Sequence, residues 1–356
     1  MAITFSGVTF SGGYQIDPTF VPNAPTISTA TATGSTTATV AFTAPSYGGS
    51  TTITTYTATS SPGGITGTLS QAGSGTITVS GLSSSTSYTF TVTATNSNGT
   101  SVASSASNSI TTSSGAPSAI EYLVVAGGGN QANWSGAGGG GLVYSSAPLS
   151  ISPATLYTIT VGAVGGDSSA FGVTAYAGGV SAGQAGVTGG SGSGGGRNGA
   201  FSNAGGGSSQ ISYPALNGVG RGNSGGTGYV SGSSTGAGGG GGAGTAGSDG
   251  TSSTGRGGNG GDGYQSSITG SAVYYAGGGG GGAAQVNGTG GLGSGPGSYG
   301  GGGGGLGTSL SATAGTVIIR YSDTYGAATS TTGSPTITTA GGYRVYQWTS
   351  SGSITF

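Results

Sequence analysis

The chain of 356 residues contains no cysteine, no histidine and no lysine. Without cysteine it has no disulfides or thiolate metal sites, and without histidine it lacks the commonest general base and metal ligand. Five arginines and six acidic residues give a formal net charge of −1, too little positive charge for binding nucleic acid or an anionic membrane. No window approaches the roughly 20 apolar residues of a membrane span. We therefore predict a protein that is not an enzyme, needs no cofactor, binds no nucleic acid and does not insert into membranes.

Glycine is the dominant residue, and 68 of the 88 glycines lie between Gly127 and Gly307. The tract from Gly236 to Gly263 has 15 glycines in 28 residues. It cannot be a helix, because each glycine costs about 1 kcal/mol relative to alanine, and it has too few side chains for an ordinary sheet core. Two structures remain: a disordered linker, or extended helices of the polyproline-II type packed backbone to backbone, with about three residues per turn.

Strand-forming segments flank this glycine zone. The apolar segment Leu123–Val125 precedes it and Val317–Ile319 follows it, so we expect the two to pair in a small sheet that closes the zone. Inside the zone, residues 141–166 have the pattern of a β-hairpin or meander. Because both ends of the zone are tied, we favour a packed scaffold over a linker.

Residues 26–112 contain short alternating segments separated by proline, glycine and asparagine turns. The predicted strands are 26–33, 36–43, 52–60, 76–79, 86–95 and 101–112. Several such strands in about a hundred residues are typical of a β-sandwich. The opening PNAP, the segment GLSSSTSYTFTV (81–92) and the following ATNSNG resemble fibronectin type III domains. This resemblance implies a spacer or binding module without a specific function.

Within that resemblance, Tyr88 corresponds to the family's corner tyrosine, whose hydroxyl bonds back to the preceding backbone. Leu82 and Phe90 correspond to core residues. The family's usual strand-B tryptophan is absent, and we expect Phe42 to fill that layer of the core.

EYLVVAGGG (121–129) and GYRVYQW with the final SITF (342–356) carry a second resemblance. They are similar to glycine-rich domains of bacteriophage tail-fibre and adhesin proteins. The resemblance implies packed polyglycine-II helices, with the connecting loops forming a receptor-binding tip. We therefore predict an all-β protein with three parts: an N-terminal anchor strand segment at 1–17, a fibronectin type III-like β-sandwich at 18–115, and a glycine-rich domain of packed polyglycine-II helices with C-terminal strands at 116–356.

The predicted function is that of a phage virion fibre or tail-tip adhesin, exposed on the particle surface. Residues 1–17 would contact other virion proteins, the glycine-rich loops would bind a host surface glycan or outer-membrane receptor, and a homo-oligomer is compatible with the sequence. The alternative is a head fibre or capsid decoration protein with a structural or weak surface-binding role. An ice-binding bundle is a third class, although irregular tracts interrupted by long loops argue against it.

Aromatic residues lie in or beside the interruptions between glycine tracts. Rigid amphipathic rings are typical of recognition surfaces, and the alternative is that these rings cap the ends of the glycine bundle. The receptor-binding candidates are Trp134, Phe201, Tyr213, Tyr229, Tyr264 and Tyr299.

A calcium motif is the one metal signal in the sequence. The segment GGNGGDGYQ (257–265) matches a single calcium-binding nonapeptide, which makes Asp262 a candidate ligand. Such sites need tandem copies and several oxygens, so the alternative is a turn aspartate, and we predict no metal site.

Overall fold

The computed structural model describes residues 21–130, 134–180, 184–196, 202–231, 234–251, 253–295 and 297–356. The segment 1–17 therefore lies outside the described residues. The chain divides into two compact units, Met1–Gly115 and Ala116–Phe356. The fold is all-β, and the described residues include one short 3-10 helix, at Pro214–Leu216. In the part of the chain that is described, no helix has the length and apolarity needed to cross a membrane.

The described residues of the first unit form two sheets. One has the strand order β1-β2-β5 and the other β4-β3-β6-β7, with β8 pairing β6. The strands are β1 Thr26–Ala32, β2 Thr37–Thr43, β3 Thr55–Ser61, β4 Thr66–Leu69, β5 Gly75–Ser80, β6 Ser87–Asn96, β7 Gly99–Thr100 and β8 Ile110–Thr111. Burial alternates along β2 and β6, because successive side chains of a strand point to opposite faces.

The core of the first unit lies where the buried faces of its strands meet. Tyr56, Ile77 and Phe90 are fully buried there. Phe42 is also buried, and its ring centroid lies 4.3 Å from that of Tyr56, so it contributes an aromatic ring to the core that has no tryptophan. The Tyr88 hydroxyl accepts a hydrogen bond from the backbone N–H of Ser83 at 3.0 Å, as expected of the corner tyrosine.

Residues 101–107 do not form the regular strand that we predicted over 101–112. Every third residue of this segment is a serine that bonds to β6 twice. Ser104, for example, donates its N–H to the carbonyl of Val92 and accepts the N–H of Val92 on its Oγ, both at 2.9 Å. Ser101 and Ser107 bond to Ala94 and Phe90 in the same way. Side-chain hydroxyls thus replace backbone carbonyls along this edge.

The second unit has a seven-stranded sheet of order β15-β10-β9-β20-β23-β22, in which β11 also pairs β9, and a three-stranded sheet of order β12-β24-β21. The hairpins β13–β14, β16–β17 and β18–β19 stand apart from these sheets. The strands are β9 Ala119–Val125, β10 Leu142–Ser145, β11 Leu149–Ser150, β12 Leu156–Ile159, β13 Ser168–Ala170, β14 Val173–Ala175, β15 Gly218–Arg221, β16 Tyr229–Ser231, β17 Ser234–Gly236, β18 Tyr264–Ser266, β19 Val273–Tyr275, β20 Thr316–Ser322, β21 Ser330–Thr332, β22 Thr336–Ala340, β23 Tyr343–Trp348 and β24 Gly352–Thr355.

The two ends of the glycine zone meet in the larger sheet. Val317 pairs with Val124 and Ile318 with Leu123 in antiparallel register, which confirms the predicted partnership. The sheet is larger than the small sheet we expected. The predicted β-hairpin or meander within 141–166 is wrong, because β10 pairs β9 and β15 whereas β12 pairs β24.

Both faces of the seven-stranded sheet are covered. One face carries Tyr122, Val124 and Trp348 into the main apolar cluster of the unit. The opposite face carries Leu123 and Ile318 into a second cluster, which the hairpin β18–β19 and its turn complete with buried side chains. Burial on both faces explains why IEYLVV and TVIIR are nearly continuous apolar runs.

Glycine tracts occupy the interior beside this sheet. The fully buried tracts are 126–129, 135–141, 190–196, 236–243, 276–282 and 300–305. A methyl group on Gly138 or Gly240 would overlap a backbone carbonyl of a neighbouring tract, that of Ser191 or Ala137. The tracts therefore approach each other more closely than any residue with a Cβ allows.

Hydrogen bonds between the tracts repeat every three residues. Along 136–141, successive N–H groups donate to three different neighbouring tracts, and every third N–H returns to the same one. The donor–acceptor pairs are Gly136–Gly238, Ala137–Gly303, Gly138–Gly179, Gly139–Gly241, Gly140–Gly300 and Gly141–Tyr176, with N to O distances of 2.7 to 3.1 Å. Buried backbone groups that have no strand partner are satisfied in this way.

Candidate functional site

An open cleft lies between the hairpin β18–β19 and the seven-stranded sheet. Ile268 and Tyr275 anchor the hairpin in the second apolar cluster, while the N-terminal strand and turn of the hairpin border the cleft. The cavity measures about 210 Å³. Its lining is mainly polar and aromatic: Glu121, Tyr122, Tyr144, Ser145, Tyr264, Gln265, Ser266, Ser267, Ile268 and Arg320.

Two stacked tyrosines form the aromatic side of this cleft, and an arginine lies against their rings. Tyr144 on β10 and Tyr264 on β18 have ring centroids 4.8 Å apart at an interplanar angle of 16°. The exposed Arg221 comes from the edge strand β15, and its Cζ lies 5.8 Å and 5.4 Å from the two centroids. Its Nη2 donates to the Tyr144 hydroxyl at 3.3 Å. Both cation–π attraction and a hydrogen bond therefore hold the guanidinium at the rings.

An ion pair forms the opposite side. Arg320 donates through Nε and Nη2 to one carboxylate oxygen of Glu121, at 3.0 and 2.7 Å. Its Nη1 donates to the carbonyl of Ser267 in the hairpin turn at 3.3 Å, and its Cζ lies 4.4 Å from the centroid of the Tyr343 ring. The side chains of this pair are only 21% and 29% exposed, and the contacts hold Arg320 in place.

The electrostatics of the two arginines differ. Arg320 is neutralised by Glu121, whereas none of the described carboxylates lies within 4.0 Å of the guanidinium nitrogens of Arg221. The hydrogen bond from Arg221 lowers the pKa of Tyr144, while burial raises the pKa of Tyr264. An uncompensated positive charge therefore lies beside the two tyrosines that line the cleft.

Of the six aromatic candidates from the sequence, Tyr264 is the one that lines this cleft. Tyr229 is 37% exposed and lies on the separate hairpin β16–β17. Phe201 lies outside the described residues.

The other three candidates are partly buried against the protein. Trp134 lies against the glycine bundle, where its carbonyl accepts the N–H of Gly282. Tyr213 packs on the main apolar cluster and donates its hydroxyl to the carbonyl of Thr174 at 3.1 Å. Tyr299 stacks on Tyr275 with centroids 6.3 Å apart. In each case the contact partner is another residue of the same unit.

Sequence reasoning missed Tyr144, Arg221 and the pair Glu121–Arg320. The sequence did contain a signal for the ion pair. Glu121 is the single glutamate of the chain, and the predicted pairing of Leu123 with Ile318 places it opposite Arg320. The sequence contained no signal for the contact between Tyr144 and Arg221, since the pairing of β10 with β15 joins segments more than seventy residues apart.

Asp262 lies in a glycine tract, where its Oδ1 accepts the N–H of Leu292 at 2.8 Å. Asp249 and Asp167 do the same for Thr227 and Ala177. Among the described residues, no group of three or more acidic side chains could hold a metal ion. The Asp262 carboxylate thus serves as a hydrogen-bond acceptor between neighbouring tracts.

A larger cleft of about 600 Å³ lies beside the hairpin β13–β14. Its apolar lining includes Ile151, Leu156 and Phe171, and it has no charged side chain. Phe171 and Gly172 form the hairpin turn with φ of 52° and 78°, a left-handed conformation uncommon for a bulky residue. Without a charged group this cleft lacks the orienting contacts found in the smaller one, where we place the candidate site.

Comparison with known families identifies the first unit. Residues 23–111 match the family model of the fibronectin type III domain. Comparison with curated proteins gave no match.

Among solved structures, the chain is similar to a crystal structure of titin domains A168-A170, at 27% identity over 26% of this chain and 32% of that one, with a TM-score of 0.23. Titin kinase with its flanking domains matches at 18% identity, over 37% and 28% of the two chains, with the same TM-score of 0.23. The FN1-FN3 domains of chicken CNTN1 match at 18% identity, over 40% and 47%, also with a TM-score of 0.23. The chain thus spans less than half the length of each of these structures.

Proposed function

We propose that the protein is a phage virion fibre or tail-tip adhesin that recognises a host surface glycan or receptor. In this proposal the fibronectin type III domain is a spacer, and the glycine-rich unit presents the recognition surface. The resemblance of EYLVVAGGG and the C-terminal strands to phage adhesins supports the assignment to a virion. The segment 1–17 would attach the protein to other virion proteins.

We further propose that the glycine tracts are polyglycine-II helices. The three-residue repeat of the inter-tract hydrogen bonds supports this, because a polyproline-II helix has about three residues per turn and no internal hydrogen bonds. The burial of whole tracts supports close backbone packing. Such a bundle is a rigid base, and segments that interrupt it are free to vary in sequence.

The observation that carries the proposed recognition is the stacked pair Tyr144–Tyr264 with Arg221 beside it. Tyrosine and arginine are enriched among the residues that dominate binding energy. Tyr264 directly follows a glycine tract, and the anchored hairpin holds it against the sheet. Little side-chain entropy is therefore lost when a ligand binds.

The test uses fluorescently labelled full-length protein and a panel of bacterial strains, with bound fluorescence measured by flow cytometry. We expect saturable binding to a subset of strains. Tyr264→Ala should lower the affinity about tenfold, equivalent to about 1.4 kcal/mol. Tyr47→Ala, which removes a loop tyrosine of the spacer domain, should leave binding unchanged. Thermal unfolding of each variant establishes that it is folded.

Two results would count against this proposal. Wild-type affinity in folded Tyr264→Ala would place recognition elsewhere on the protein. Absence of binding to every strain, together with antibody labelling of the particle head, would favour the alternative of a head fibre or capsid decoration protein.

A further inference from the structure

We propose that the cleft between β18–β19 and the sheet binds an anionic sugar residue, with Arg221 contacting its carboxylate or phosphate and Tyr264 contacting its ring. This inference rests on the proposed function and names the ligand class of its site. It makes Arg221 the residue that selects charged over neutral sugars.

The placement of charge is the first argument. Only 5 of 356 residues are basic, yet one of them, Arg320, lines this cleft, and a second, Arg221, contacts two of the tyrosines that line it. Glu121 neutralises Arg320, and the remaining arginine is exposed beside the rings. A guanidinium presents a planar fork of donors that matches carboxylate and phosphate oxygens. One donor of Arg221 is used by Tyr144, which fixes its position and leaves the others for a ligand.

The composition of the lining is the second argument. Tyr264 contributes an aromatic ring, and Gln265, Ser266 and Ser267 follow it along the hairpin, with Gln265 and Ser267 exposed. Their amide and hydroxyl groups both donate and accept hydrogen bonds, as sugar hydroxyls require. An apolar ligand that covered these groups would leave them without hydrogen-bond partners, which is unfavourable.

Size is the third argument. The cavity of about 210 Å³ is smaller than the roughly 300–1,000 Å³ of pockets that hold drug-sized ligands. It therefore suits a single sugar residue at a chain end or branch. Nucleic acid is disfavoured, since backbone recognition relies on several cationic contacts to phosphates and this cleft offers one uncompensated cation.

The experiment measures binding of three monosaccharide probes to the full-length protein by isothermal titration calorimetry. The probes are methyl β-D-glucuronide, glucose 1-phosphate and methyl β-D-glucoside. We expect one or both anionic probes to bind at least tenfold more tightly than the neutral glucoside. Binding of the glucuronide alone identifies a carboxylate ligand, and binding of both identifies a general anion site.

Two arginine variants locate the effect. Arg221→Gln keeps a polar side chain but removes the charge, and it should lower anionic-probe affinity about tenfold. Arg256→Gln, at an exposed arginine in a glycine tract, is the matched control and should bind as wild type does. Equal binding of charged and neutral probes, or wild-type affinity of Arg221→Gln for the anionic probes, would overturn the inference.

Failure of this inference and failure of the adhesin proposal give different results. If no probe binds but the protein still binds cells and loses that binding in Tyr264→Ala, the anionic-sugar inference is wrong and the adhesin stands. If an anionic probe binds through Arg221 but no cell is bound, the site stands and the adhesin proposal is wrong.

Discussion

The interiors of the two units of this chain are filled by different parts of the polypeptide, side chains in the first and largely backbone in the second. In the fibronectin type III unit, side chains fill the space between two sheets, as the buried Tyr56 and Phe90 show. In the glycine-rich unit, much of the interior is backbone, and the absence of side chains lets carbonyls and N–H groups of different tracts meet. The first unit should therefore be most sensitive to losing atoms, and the glycine bundle of the second to gaining them.

Removing a core side chain should give the largest effect. Phe90→Ala deletes a fully buried ring of the first unit and should lower its free energy of unfolding by about 3–5 kcal/mol. Calorimetry of the full chain should show the transition of the first unit shifted and that of the second unchanged. Val102→Ala, at a side chain that is 77% exposed in the same unit, should have little effect. Equal shifts of both transitions would contradict independent cores.

Adding one methyl group to the glycine bundle should give the next largest effect. A Cβ on Gly240 would overlap the carbonyl of Ala137, so Gly240→Ala should destabilise the second unit by about 1–3 kcal/mol. The control is Gly207→Ala in the same unit, where the nearest atom to the new methyl is 3.9 Å away. Chemical denaturation of both variants provides the comparison. Equal stability of the two would show that the tracts tolerate side chains.

Alkaline pH should give the smallest effect and should act on the side-chain core of the second unit. Burial raises the pKa of Tyr122 to about 12 and also raises the pKa of Tyr321. A tyrosine whose pKa is raised in the folded state contributes stability at pH values below its unfolded-state pKa of about 10. This contribution is lost as the pH rises towards 12.

The melting temperature of the second unit should therefore fall between pH 10 and 12. Tyr122→Phe, which keeps the ring and removes the ionisable hydroxyl, should make this fall smaller. A melting temperature that stays constant over this range, or an undiminished fall in the variant, would contradict the assignment.

The fold was predictable where side chains carry the information. Alternation of apolar and polar residues in TATVAFT and SYTFTVTAT predicts strands of the first unit. The apolar segments around Val124 and Val317 were correctly predicted to pair with each other. Prediction failed where strands are short and their partners distant. Leu156–Ile159 pairs with the last strand of the chain, and four residues contain too little pattern to specify that partner.

The site was predictable only in part for the same reason. Tyr264 stands out beside a glycine tract, whereas Tyr144 and Arg221 acquire their role from sheet pairing between distant segments. Neighbouring glycine tracts cannot be assigned from sequence either, because identical glycines give no register.

The three-residue repeat of the inter-tract hydrogen bonds also constrains how this sequence can change in length. Inserting or deleting one residue inside a tract such as 136–141 would turn every following N–H towards the wrong neighbour, while a change of three residues would restore the pairing. The hydrogen-bond pattern of the tracts thus tolerates length changes only in multiples of three residues. Related sequences should differ by multiples of three within tracts and by any number in the loops between them.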